Sequence, residues 1–200
     1  RNVTGVQTCT LPISYETPSW NTEYRVAHVQ PLPRWIDPSE AGGHHHMTDA
    51  VVAIADIEGP VHMSLVHQRL REAWGIGRIG SKISENIDRA IGLSHDNVDR
   101  DGDFIDRKGR PVDRVRTPNG VTRKVEHVAH SEIRLCATLL LRDTGTTERT
   151  ELITAVARIF GWTRTGADIK SHIDGVIEQL AAGNEIAEEE GYLSLSGGPC

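Results

Sequence analysis

The stretch GIGRIGSKISENIDRAI, residues 75–91, returns 86 residues later as GWTRTGADIKSHIDGVI, residues 161–177. Seven positions are identical: Gly75/Gly161, Arg78/Arg164, Gly80/Gly166, Ile83/Ile169, Ile87/Ile173, Asp88/Asp174 and Ile91/Ile177. Glycine spacing and an apolar period kept together over that distance point to duplication of one supersecondary unit. The chain must therefore fold as two copies of a small structure, and neither copy has the residues for a large core of its own.

The repeated unit has a physical reading. SLVHQRLREAW places Leu65, Val66, Leu70 and Trp74 near one helical stripe, and Gly75 follows where a left-handed C-cap falls. After a short turn, Ile83, Ile87 and Ile91 recur every four residues with Ala90 beside them; Ile169, Ile173, Val176, Ile177 and Leu180 line the counterpart. Two helices joined by a Gly-containing turn read as helix-turn-helix. TDAVVAIADI and SEIRLCATLLLRD are leading helices, with Thr48 and Ser131 as expected N-caps. NVDRDGDFID and EIAEEEGYLSL read as hairpins around a glycine. The expected fold is mainly α with small β-hairpins, an α+β class built of two tandem winged helix-turn-helix units at 48–106 and 131–195. A linker at 14–47, a basic interdomain segment at 107–130 and a tail at 196–200 complete it.

The linker reading rests on VQPLPRWIDPSEAGGHHHM, which holds three prolines, two glycines and no helical period. His44, His45 and His46 lie there without a carboxylate or thiolate at ligand spacing, so they read as a solvated loop and not a metal site. Cys9, Cys136 and Cys200 form no CxxC pair, which points to a reducing, cytoplasmic setting. No apolar run is long enough to span a bilayer, so no membrane is expected among the partners. Asn2–Ile13, NVTGVQTCTLPI, resembles the conceptual translation of a common sequencing-adapter oligonucleotide, with Thr10 where that translation has alanine. Residues 1–13 are therefore expected to be a non-native scar, and the chain the tail of a longer protein.

IEGPVHMSLVHQRLREAWGIGRIGSKISENIDRAI and TELITAVARIFGWTRTGADIKSHIDGVIEQL resemble a bacterial domain of unknown function. That domain ends very large superfamily 1 helicase-like proteins, which often carry a very-short-patch-repair-like endonuclease domain just upstream. The resemblance spans about Val51 to Leu195 and is strongest in the run Ile57 to His62 and in the two Gly-x-x-Arg-x-Gly turns. It implies a place in a DNA-processing machine, in repair or in defence against foreign DNA, with the helicase and endonuclease domains of the parent chain as partners. The sequence has no GxxxxGK[ST] phosphate loop, so the motor is not in this stretch.

Asp168 and Lys170 form a D-x-K pair, but on the first turn of a helix and without the strand carboxylates a nuclease needs. Gly77-Arg78-Ile79-Gly80 resembles a KH-type clamp, yet Thr163 breaks the pattern in the second copy. No catalytic residues, metal or cofactor are expected. DNA binding has more support. Arg78 and Arg164 precede the third helices, and Lys82, Arg89, Lys170 and His172 lie on their outer faces. From residue 107 to 124 there are seven cations (Arg107, Lys108, Arg110, Arg114, Arg116, Arg123 and Lys124) against Asp113 alone, +6 inside a chain of −6. Against it stand acidic hairpins, with Asp99, Asp101 and Asp103 in one and Glu188, Glu189 and Glu190 in the other, and Glu85, Asp88, Asp174 and Glu178 on the helices.

The expectation is a non-catalytic accessory module that binds DNA weakly and without sequence preference through Arg78, Lys82, Arg164, Lys170 and the 107–124 cations. Docking between proteins is the alternative, and a stand-alone enzyme a distant third. For Arg78 and Arg164 a structural role, hydrogen-bonding helix carbonyls or an acid of the leading helix, competes with DNA contact. If residues 1–13 are a scar, deleting them leaves the calorimetric melting temperature unchanged within error; a clear drop would mark them as a structural element.

Overall fold

A computed structural model describes residues 18–164 and 166–197. In chain order the elements are β1 (Asn21–Glu23), α1 (Thr48–Glu58), β2 (Val61–His62), α2 (Met63–Trp74), α3 (Ser81–Leu93), β3 (Val98–Asp101), β4 (Phe104–Arg107), β5 (Val115–Thr117), α4 (His130–Thr144), β6 (Thr146–Glu148), α5 (Arg149–Ile159), α6 (Ala167–Ala182), β7 (Ile186–Glu189) and β8 (Tyr192–Leu195). The described residues thus form a mixed α+β fold of six helices and small sheets. They divide into two compact units: Tyr24–Pro111 with Glu126–Ala129, and the described parts of 1–23, 112–125 and 130–200.

In the first unit α1, α2 and α3 enclose a core of Val51, Ile54, Val66, Leu70, Ile87 and Ala90, all fully buried. The antiparallel sheet has strand order β2–β4–β3, and Ile105 on its central strand faces both Val61 and Arg100 in register. The second unit has the same order of elements and the sheet order β6–β8–β7, with Leu193 central between Thr147 and Glu188.

Helices α2 and α5 begin at 63 and 149, and α3 and α6 at 81 and 167, each 86 residues apart. The hairpin strands begin at 98 and 186 and at 104 and 192, each 88 apart. The difference arises around the end of α6, which runs 16 residues against 13 in α3. Matched positions are buried in both copies: Val66 and Leu152, Leu70 and Val156, Ile87 and Ile173, Ile91 and Ile177, Ile105 and Leu193. The repeat also extends back into the leading helices, where Ile54 and Leu140 are buried at equivalent places without sequence identity.

The repeated acid on the third helix holds the hairpin in each copy, but through different bases. Asp88 accepts from Arg100 of β3 at 2.7 Å. Asp174 accepts at 2.7 Å from Arg149, at the start of α5, and Arg149 also donates at 2.7 Å to Glu188, which occupies the place of Arg100.

Several expectations need correction. The segment 14–47 is not a free linker over its described part. Tyr24, Ala27, Val29 and Met47 are buried, and β1 pairs in parallel with β5 in the second unit. Its prolines exclude a helix but leave extended chain free to bury alternate side chains. The three histidines form a single 3-10 turn, Gly43–His46, in which His44 is half-buried. Thr48 and Ser131 do not cap. Met47 precedes α1 without a side-chain cap, Thr48 donates to the His45 carbonyl, and α4 already begins at His130. Gly75 does take the left-handed C-cap, with φ 65°. Gly161 has φ 78°, and a Cβ there would lie 2.5 Å from Pro118 Cγ. The scar expected at residues 1–13 lies outside the described residues.

Ile87→Ala and Ile173→Ala are each expected to cost about 2–5 kcal/mol, because each empties a fully enclosed site that neighbours fill only in part. Chemical denaturation of the two variants measures this.

Candidate functional site

The basic segment is not exposed along its whole length. Arg116 and Arg123 are 3% and 5% exposed, and both turn inward onto Glu132 of α4, which is wholly buried. Arg116 donates through its Nη2 at 2.6 Å and through its backbone N–H at 2.8 Å. Arg123 spans the carboxylate with two bonds of 2.8 Å and gives a further one, also 2.8 Å, to the Arg116 carbonyl. Trp162 closes the assembly by donating its indole N–H to the Arg123 carbonyl at 2.7 Å, and it stacks on Phe160. Burial by itself would raise the Glu132 carboxyl, but the Arg123 bonds and the charges of Arg116 and Arg123 outweigh it and hold the value at about 2.

The remaining cations of the segment are divided. Arg110, with 13% of its side chain exposed, bonds Asp56, lies 3.3 Å from Asp106 and reaches carbonyls at the end of α1. Arg107 pairs with Asp56 at 3.2 Å, and Lys108 donates to the His95 carbonyl at 2.7 Å. Arg114 is half-buried and Lys124 is exposed. The segment read as interdomain is thus split between the units, with residues up to Pro111 in one and Val112–Val125 in the other. As DNA contacts, Arg116 and Arg123 are excluded by burial, and Arg110 is largely committed to the fold.

The first unit has a counterpart to Glu132. Glu58, at the end of α1 and fully buried, accepts from Arg69 at 2.8 and 3.1 Å, from the Ala27 N–H at 3.0 Å and from the Tyr24 hydroxyl. Sequence reasoning missed both carboxylates.

The cations around the turns before α3 and α6 are placed differently. Arg78 lies in the turn between α2 and α3, and Lys82 in the first turn of α3; both are exposed, and neither makes an ion pair among the described residues. Arg71 near the end of α2 and Arg89 on α3 are exposed in the same condition. Arg164 and Lys170 are exposed and unpaired among the described residues of the second unit. No helix carbonyl or acid engages Arg78 or Arg164 side chains there, so the structural role expected for the turn arginines is not what holds them. The third helices are preceded by Gly80 and Gly166 as N-caps, neither of which supplies a side-chain cap. Asp168 is exposed, as expected of a solvated helical pair with Lys170. No group of three or more His, Cys, Asp or Glu that could hold a metal ion occurs among the described residues.

Comparison with known proteins adds one finding. The family model described as a protein of unknown function (DUF3320) matches residues 37–85, which run from before α1 through the first turn of α3. No curated protein and no solved structure matches the chain. No helix is long and apolar enough to cross a membrane among the described residues.

The Glu132 assembly makes a pH prediction. Its folded value of about 2 lies below the ordinary 4.5, so its pairing stabilises fully above about pH 4.5 and that contribution is lost as pH falls through about 2. Glu132→Gln leaves two buried guanidinium groups short of charge and is expected to cost about 3–5 kcal/mol at neutral pH. The variant's stability should also vary less between pH 5 and 2 than that of the wild type, as read by urea denaturation across about that range.

Proposed function

We propose that the chain is a non-catalytic tandem winged-helix module that helps a helicase or endonuclease of a DNA-processing machine engage DNA. The order helix, strand, helix, helix, strand, strand occurs twice, and in each sheet the last strand lies between the other two, which supports the winged-helix reading. The observation that carries the DNA reading is the exposure of Arg78 and Lys82, unpaired among the described residues, where the turn meets an uncapped helix N-terminus. Backbone N–H groups and the helix dipole favour a phosphate there, and the two side chains add charge. Arg164 and Lys170 offer a second contact of the same kind.

Docking between proteins is the second reading. It is favoured by the burial of Arg116 and Arg123, which removes the centre of the basic segment, and by exposed acids at Asp101, Asp103, Glu188, Glu189 and Glu190 on the hairpins.

Duplex anisotropy titrations at about 50 mM salt are expected to give affinity on the order of micromolar or poorer. With two to four phosphate contacts, log affinity should fall against log salt with a slope of about −2 to −4. Arg78→Glu combined with Lys82→Glu is expected to weaken that binding sharply, leaving only the Arg164 and Lys170 contact, while circular dichroism is unchanged. If the wild type does not bind, or the double variant binds as well, the docking reading replaces this one.

A further inference from the structure

Trp35 is 84% exposed, whereas Trp162 is buried and Trp20 and Trp74 are half-buried. It stands on a built turn. The Ile36 N–H donates to the Pro33 carbonyl at 2.9 Å, which leaves Arg34 and Trp35 at the two central positions, both exposed. Immediately beyond, Asp37 accepts from the Ser39 N–H at 2.8 Å and from its hydroxyl at 2.7 Å. Asn86 of α3, only 3% exposed, donates to the carbonyls of Pro38 and Glu40 at 2.8 and 2.9 Å. The fit is close at Gly43, where an added Cβ would meet the Asp37 and Pro38 carbonyls at 3.1 Å and Asn86 at 3.3 Å. The turn is therefore anchored to the flank of the third helix, and the indole is presented without having to be ordered first.

Its electrostatic surroundings are mixed: Arg34 stands beside it in the turn, and Asp37 and Glu40, both exposed, follow it. Arg34 makes no ion pair among the described residues. Lys82 and Arg89 lie four residues before and three residues after Asn86 on α3, and so on the side of the helix that holds the anchored segment. An exposed indole beside an exposed arginine is a combination that binds unpaired bases, with stacking on the ring and a phosphate on the charge.

We propose that the Pro33–Ile36 turn is a stacking platform for single-stranded nucleic acid, with Trp35 receiving a base and Arg34 and Lys82 the neighbouring phosphates. The inference rests on the DNA reading and deepens it. A module that engages duplex through α3 and an unpaired base through the adjoining turn is suited to a junction between double and single strand.

The test uses the whole chain and oligo(dT) of about 20 nucleotides at low salt. Binding is expected to quench the tryptophan emission of the wild type, because only Trp35 is open to stacking. Trp35→Ala is expected to weaken oligo(dT) binding about tenfold or more by anisotropy, and Trp35→Phe to restore much of it. Duplex binding should be unaffected by Trp35→Ala and remain sensitive to the Arg78→Glu, Lys82→Glu pair. Equal oligo(dT) affinity of wild type and Trp35→Ala overturns the stacking platform and, if the duplex result holds, leaves the DNA reading intact. An emission unmoved by oligo(dT) also overturns it and leaves the turn to a protein partner. Loss of duplex binding in the wild type would instead be the failure of the DNA reading itself.

Discussion

A buried carboxylate on the leading helix organises each unit. Removing a charge from water costs several kcal/mol, and the cost is offset only when every lone pair is met by a well-placed donor. Glu58 and Glu132 meet that condition with donors that, Arg69 of α2 apart, come from chain outside the repeat. Glu58 gathers Tyr24 and Ala27 together with Arg69. Glu132 gathers Arg116 and Arg123. The two carboxylates sit at opposite ends of equivalent helices, so the duplicated scaffold was completed twice by separate solutions to the same electrostatic problem.

That requirement also explains why a charge census along the chain misplaces the charged surface. Seven cations in eighteen residues suggest a polycationic strap. Two of them neutralise one buried acid, one is packed against the end of α1, and another pairs with Asp56. Arg78, Lys82, Arg164 and Lys170, around the turns before α3 and α6, are exposed and make no ion pair among the described residues. Exposure and pairing set the surface potential, and linear density does not measure either.

The repeat and the core were legible because burial imposes a period. Ile83, Ile87 and Ile91 mark one side of a helix whatever the rest of the chain does, and Gly75 marks its end. The buried acids left a fainter trace. Glu58 continues the stripe Val51, Ile54, Ala55 at its next position, and Glu132 adjoins Ile133 and Cys136 on a face otherwise apolar. An acid in such a place demands an arginine, but the sequence does not say which, since the arginines lie 9 to 16 residues away along the chain. The packing of residues 24–47 was hidden for a different reason. Extended chain held by side-chain hydrogen bonds has no period, and the Trp35 turn depends on Asn86, 48 residues beyond Pro38.

The two acid anchors of the third helices have drifted into distinct keys. In one copy the base that meets the helix acid comes from the hairpin, as Arg100; in the other it comes from the preceding helix, as Arg149, and the hairpin offers Glu188 instead. Each hairpin is therefore matched to its own helices. Moving the first hairpin into the second copy would bring Arg100 up against Arg149, and the reverse exchange would set Glu188 against Asp88. Either crossover between the duplicated segments would produce like-charge contacts. The charge exchange thus makes each hairpin complementary to the helices of its own copy and not to those of the other.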